Sequence, residues 1–267
     1  MAWMNRVVQG WRLVRQGERL YRSGDAFHCL YVIRTGSFKT VVLPLRGKEY
    51  ISGFYMAGDS IGLDGIYQDA YRCDAVALED SAVCLMPFPM LAALCRETES
   101  LQRGLHKLFS AEILRASQQM FLLGSLSAEQ RVTAFLLGIS ERYRERGYSA
   151  TSFVLRMTRE DIGSFLGLTL ETVSRALSRF QQERLISVHG RSIQLLDLGG
   201  LEMRQSAPRL GGGVSLARSG RATGKTAGYA GRKRPVHDAP QVVLGDSQAG
   251  RCVRAMSGSA SRSVCAK

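Results

Sequence analysis

Met157-Thr158-Arg159-Glu160-Asp161-Ile162-Gly163-Ser164-Phe165-Leu166-Gly167-Leu168-Thr169-Leu170-Glu171-Thr172-Val173-Ser174-Arg175 spells two short helices joined at a glycine. Thr158 and Thr169 each stand as an N-cap before a helix start. Asp161 follows the first at capping-box spacing, and Glu171 falls in the first turn of the second helix. Small Gly163 lets the helices cross closely, and Gly167 sits where the turn needs a left-handed backbone. Ile162, Leu166, Leu168 and Val173 then point inward. The pattern predicts a helix-turn-helix that docks in the major groove of double-stranded DNA.

On the second helix Glu171, Ser174 and Arg175 lie at offsets of three and four and so share one side. Arg can chelate guanine O6 and N7, Glu can accept from cytosine N4, and a Ser hydroxyl can serve a base or a phosphate. A solvated Glu-Arg pair has the same spacing and is worth only about 0.2–0.5 kcal/mol; within the full pattern, base recognition is the better reading. Thr158, Thr169, Thr172, Arg179 and Arg191 complete the candidate DNA-facing set. Apolar runs over residues 185–188 and 191–196 flank His189-Gly190 and predict a hairpin. Placed after a recognition helix, that hairpin reads as a wing whose Arg191 or His189 meets the phosphate backbone. His189 reads equally well as a polar turn residue.

The formal charge of +13 over 267 residues is uneven. Residues 205–267 hold 11 Lys and Arg against 2 Asp, a net of +9, which leaves +4 for residues 1–204. A modest positive balance on the body suits a protein that reads sequence rather than one that coats nucleic acid by charge alone. No apolar run of about 18 residues and no signal-peptide blocks occur, so a cytoplasmic protein without a membrane partner is expected. Cys29, Cys73, Cys84, Cys95, Cys252 and Cys265 include no Cys-x-x-Cys pair, and in a reducing compartment they read as free thiols.

Glycines at 17, 24, 36, 47, 53, 58, 62 and 65 cut the first part of the chain into short strand-like runs such as residues 29–33, 38–43 and 82–86. That rhythm predicts a β-roll or small barrel, its interior either lined for a ligand or filled by side chains. A long helical stripe follows, carrying Leu101, Leu105, Leu108, Phe109, Ile113 and Met120. Because one reader usually pairs with a second to cover two half-sites, the stripe is expected to form a homodimer coiled coil. Another amphipathic helix over residues 127–143 starts with a capping box at Ser127-Ala128-Glu129-Gln130 and turns Val132, Phe135, Leu136 and Ile139 inward. The charges of Arg142-Tyr143-Arg144-Glu145-Arg146 are most simply a solvated face. Past about Met203 the pattern fails. The expected fold class is α+β: a β-roll sensor over residues 1–96, a dimerisation helix over 97–126, a winged helix-turn-helix over 127–204 and a disordered basic tail over 205–267.

In that order of parts, and in Leu30-Tyr31-Val32-Ile33-Arg34-Thr35-Gly36-Ser37-Phe38-Lys39-Thr40, Ile51-Ser52-Gly53-Phe54-Tyr55-Met56-Ala57-Gly58-Asp59, Pro87-Phe88 and the helix-turn-helix itself, the chain resembles the CRP/FNR family of bacterial transcription regulators over about residues 10–200. The FNR branch is the better match. The resemblance implies a cyclic-nucleotide-binding-like jelly roll, a homodimer that contacts RNA polymerase, and a TTGAT-N4-ATCAA palindrome read by Glu171, Ser174 and Arg175. It also implies a four-iron four-sulfur cluster held by three N-terminal cysteines and one cysteine of the roll, and only Cys84 matches, as a single ligand. Either the true start lies upstream and supplies the other cysteines, which the intact context of Cys84 favours, or the sensor has been lost and the regulator is constitutive.

A cyclic-nucleotide receptor of the same fold is one rival. That branch places a Glu after a Gly for the ribose and an Arg-Ser pair for the cyclic phosphate. Here Leu63 follows Gly62, and Cys73-Asp74 follows Arg72. An apolar residue and an acid at those places weaken such binding. An enzyme is the other rival. The sequence has no Gly-x-Ser-x-Gly, no His-Glu-x-x-His and no phosphate loop, and its four histidines, His28, His106, His189 and His237, fall in no catalytic motif. No catalysis is expected.

Overall fold

The computed structural model describes residues 10–42 and 49–206. The rest, including Cys252, Cys265, Tyr229 and Arg232-Lys233-Arg234 of the expected tail, lies outside the described residues. Eight strands come first: β1 (Gly10–Val14), β2 (Arg19–Tyr21), β3 (Cys29–Thr35), β4 (Ser37–Val42), β5 (Tyr50–Met56), β6 (Ser60–Ile61), β7 (Asp74–Ala77) and β8 (Ser81–Pro87). They form two antiparallel four-stranded sheets, ordered β1-β8-β3-β6 and β2-β7-β4-β5. The strand-like runs and glycine spacing of the sequence thus resolve into a β-roll. Leu30, Ile33, Phe38 and Val83 are fully buried in its core, each contributing about 1.5–3 kcal/mol of apolar burial.

Aromatic rings stack inside the roll. Tyr21 stacks on Tyr71 at 3.9 Å between ring centroids and on Tyr31 at 5.9 Å, and Phe27 lies between Tyr71 and Phe88. Tyr71 anchors the stack by donating its hydroxyl to the Cys29 carbonyl at 2.7 Å.

Helix α1 (Phe88–Glu97) seats Leu91, Leu94 and Cys95 on the roll and ends at Thr98, whose extended backbone breaks the chain before α2 (Glu99–Ser125). At 27 residues α2 is about 40 Å long, and none of its residues is buried. Leu101 and Leu105 pack against the roll, Leu122 packs against the second core, and Leu108 and Phe109 are half-buried. Ile113 and Met120 are 67% and 68% exposed, with Leu114 and Phe121 beside them. Among the described residues no helix is long and apolar enough to cross a membrane.

Leu126 and Ser127 turn the chain into α3 (Ala128–Glu145), whose start is the expected capping box between Ser127 and Gln130. Then come β9 (Ser152–Val154), α4 (Arg159–Leu166), α5 (Leu170–Gln182), β10 (Ile186–His189), β11 (Ser192–Leu195) and α6 (Leu198–Ser206). Val132, Phe135, Leu136 and Ile139 are buried as expected. They share a cluster with Val41, Ile51 and Phe54 of the roll, so one core runs through both halves. Phe54, Phe135 and Phe165 make its aromatic centre, with ring centroids 5.1 to 6.1 Å apart.

Two expectations need correction. The pattern does not fail at Met203: α6 continues to Ser206 and buries Leu201 completely. Nor is the charged end of α3 a solvated face, because Arg142 and Arg146 both reach the buried Asp59 of the roll. Their partner is more than eighty residues away, outside any local charge pattern.

Candidate nucleic-acid interface

The helix-turn-helix is built as its sequence dictates. The Thr158 hydroxyl accepts from the Asp161 amide at 3.0 Å and the Asp161 carboxylate accepts from the Thr158 amide at 2.9 Å, closing the capping box of α4. Asp161 also takes Lys39 of β4 at 2.7 Å. Burial pushes its carboxyl up, but Lys39 and the Thr158 bonds outweigh burial and hold it below the ordinary range. A Cβ at Gly163 would stand 2.8 Å from the Leu168 carbonyl oxygen, so the crossing of the helices depends on its absence. Gly167 ends α4 at φ 63, and the Thr169 hydroxyl accepts from the Thr172 amide to start α5.

Val173, Ala176, Leu177 and Phe180 are the buried side of α5, at helical spacing. Glu171 and Arg175 are exposed on the other side, with Ser174 half-buried between them. Among the described residues the Arg175 guanidinium donates to the Thr172 hydroxyl, at 3.4 Å. Ser174 accepts from Arg159 Nη1 of α4 at 3.3 Å. Arg159 was not singled out in the sequence, although its place at the first position of α4 was a usable signal.

Arg179 is placed differently from the other candidates. Its guanidinium donates to Glu129 at 2.6 Å and to Glu183 at 3.1 Å, and Arg204 of α6 pairs with the same two carboxylates. Arg204 also lies over the Phe180 ring at 5.1 Å. This cluster ties the end of α5 to α3 and α6, and it commits Arg179 within the fold.

Strands β10 and β11 form the expected wing, with His189 opposite Ser192 and Gly190 at φ 61. A third strand, β9, pairs with β11 and was not foreseen. Arg191 is exposed at the tip, and His189 Nδ1 lies 3.3 Å from the Ser187 hydroxyl. Between wing and α4 runs a cleft of about 250 Å³ lined by Thr158, Arg159, Leu177, Val188, Gly190 and Arg191 among others. Two arginines and a threonine thus line one opening.

A family model for a Crp-like helix-turn-helix domain matches residues 130–204, and one for a cyclic nucleotide-binding domain matches residues 11–98. The transcriptional regulatory protein btr of Bordetella pertussis is 45% identical over 189 residues, 71% of this chain and 78% of that protein. The transcriptional activator protein anr of Pseudomonas aeruginosa is 40% identical over 194 residues, covering 73% and 80%. A fumarate and nitrate reduction regulatory protein of Vibrio cholerae is 38% identical over 194 residues, covering 73% and 78%. Among solved structures, FixK2 from Bradyrhizobium japonicum superposes with a TM-score of 0.69 at 31% identity, covering 74% of this chain and 98% of that one. The chain belongs to the CRP/FNR family. It is a DNA-binding transcription regulator, and its relatives are regulators rather than enzymes.

CRP/FNR membership raises the question of a ligand in the roll. Gly62 lies against Tyr71, whose ring a Cβ there would meet at 3.2 Å, and Leu63 packs against the roll's core. Arg72 is exposed and donates to Gln68, while Asp74 is bonded to Arg19 at 2.7 Å and to the Ser23 amide at 2.8 Å. The three stacked tyrosines, which the sequence reading passed over, occupy the interior.

The cluster implied by the FNR branch does not fit the described residues. Cys84 is buried in β8, opposite Trp11 and Val32, and burial pushes its thiol up. Cys73 donates to Asp64 within the roll's core, and Cys95 lies in the same core on α1. Among the described residues no group of three or more His, Cys, Asp or Glu is placed to hold a metal ion, whereas the cluster needs four thiolates.

Proposed function

We propose that this regulator acts in the cytoplasm as a homodimer that reads TTGAT-N4-ATCAA, with Glu171, Ser174 and Arg175 contacting base edges. Thr158, Thr169, Thr172 and Arg191 hold the phosphates in this reading, joined by Arg159 at the cleft beside the wing. The observation that carries it is the exposed side of α5, where an acid, a hydroxyl and a weakly engaged guanidinium stand at spacings of three and four. Arg179 contributes by bracing α5, given its pairs with Glu129 and Glu183.

The dimer forms along α2, where Ile113 and Met120 are exposed and Leu108 and Phe109 half-buried; Leu101 and Leu105 serve the roll. Two chains paired there carry two readers to half-sites about one helical turn, or 34 Å, apart. Surfaces of the bound dimer then meet RNA polymerase. The relatives named for fumarate and nitrate reduction support a role in redox-responsive control. A cyclic nucleotide is disfavoured as the signal by the tyrosine stack inside the roll.

Fluorescence anisotropy at several salt concentrations tests the reading. Tight binding to the palindrome, with a scrambled duplex weaker by about a thousandfold or more, is expected. Equal affinity for both duplexes overturns it.

A further inference from the structure

Asp59, in the turn between β5 and β6, is 4% exposed and carries the charge of a carboxylate in the middle of the molecule. Four donors fill its two oxygens: the Met56 amide at 2.8 Å, Arg115 of α2 at 3.0 Å, and Arg142 and Arg146 of α3 at 2.5 and 2.7 Å. Arg142 donates besides to the Phe54 carbonyl and Arg146 to the Ala57 carbonyl. Arg115 is steadied by Glu112 at 3.5 Å and lies over the Tyr55 ring at 5.7 Å, while the Tyr55 hydroxyl donates to Glu112. The roll, the long helix and the first helix of the DNA-binding half therefore meet on one side chain.

The geometry is that of a braced joint. Only Leu126 and Ser127 separate α2 from α3, and Leu126 is extended, so the joint is a pivot. Arg131 pins it locally by donating to the Leu123 and Leu126 carbonyls. Arg115 lies about 16 Å before the pivot and Arg142 about 22 Å beyond it, at 1.5 Å per residue. A carboxylate gripped from both arms closes a triangle, and a triangle with fixed sides has a fixed angle. Three guanidinium groups face one Asp there, so without its charge they repel one another and the triangle opens.

We propose that Asp59 is a positioning residue for DNA recognition: by fixing the angle between α2 and α3 it sets the half-site spacing that the dimer accepts. The inference rests on the homodimer and palindrome proposed above and adds the element that sets their geometry. A dimer with loose arms still places each reader on a half-site, but it loses the preorganisation that makes one spacing better than the next.

The test uses the full chain and duplexes carrying TTGAT and ATCAA with four-, five- and six-base spacers, beside a duplex with a single half-site. Asp59→Asn is expected to bind the four-base spacer about tenfold or more weaker than wild type, to keep single half-site affinity, and to lose most of its preference among spacers. Arg146→Gln is measured in parallel, because it leaves Asp59 two guanidinium partners, lies away from the apolar stripe of α2, and decides the matter if Asp59→Asn does not fold. It should narrow the spacer preference in the same direction, with sedimentation showing an intact dimer. Wild-type spacer preference in folded variants overturns the proposal, as does an equal loss on single and paired half-sites. A wild-type chain that does not prefer the palindrome at all removes the parent reading and this one with it.

Discussion

Among the described residues Arg175 holds a long hydrogen bond to a threonine hydroxyl, so in the proposed reading its contact with a guanine edge would be nearly all gain. Arg175→Ala should cost about 1–3 kcal/mol of binding and relax discrimination at one base pair of each half-site. Competition against single-base-pair variants of the palindrome reads this, and an equal loss on every duplex would assign Arg175 to the phosphates instead. The trio was legible in the sequence because helical periodicity is local: positions three and four apart share a face whatever the rest of the chain does. Arg179 sits on the same helix, yet its role was not legible. Glu183 is a local partner four residues on, but Glu129 comes from α3 and nothing near residue 179 announces it. Arg142 and Arg146 were misread for the same reason, since a run of alternating charges looks solvated until the fold brings Asp59 to it.

At the scale of elements, the three helices opened by a hydroxyl cap were found, while β9 and α6 were missed. The caps at Ser127, Thr158 and Thr169 all form. β9 has three residues, too few to show an alternation, and pairs along the edge that β11 offers it. In α6 the pair Gly199-Gly200 reads as a break. The structure uses it otherwise: the Asp197 carboxylate caps the Gly200 amide at 2.9 Å, and a Cβ on Gly200 would stand 2.6 Å from Leu185. The long helix was legible as a stripe, but only coordinates separate its two uses, roll packing at Leu101 and Leu105 and exposure at Ile113 and Met120. Below the concentration at which chains pair, Ile113→Glu should therefore unfold within about 0.5 kcal/mol of wild type, and above it the variant should oppose self-association. Sedimentation should then give half the wild-type mass; an unchanged mass would place the dimer seam elsewhere.

On the scale of the whole molecule, the shared core and the Asp59 cluster join two halves that the sequence presents as separate blocks. Burial pushes the Asp59 carboxyl up, but Arg142, Arg115, Arg146 and the Met56 amide together hold it below its ordinary value. The stability it contributes is therefore fully present above an unfolded value of about 4 and is lost as pH falls through the depressed folded value. Glu112 and Tyr55 also face Arg115, so the comparison must be with a variant rather than with another pH alone. Below about pH 4 wild type should lose urea resistance more steeply than Asp59→Asn does, and parallel acid curves would show that the carboxylate contributes nothing to folding. The exposed side of α2 matters at this scale too, through the pair proposed along it. Below its dissociation constant such a pair would grow with the square of chain concentration, so doubling expression would about quadruple the species able to cover both half-sites. Gene dosage would then be an input to the regulator, acting through copy number.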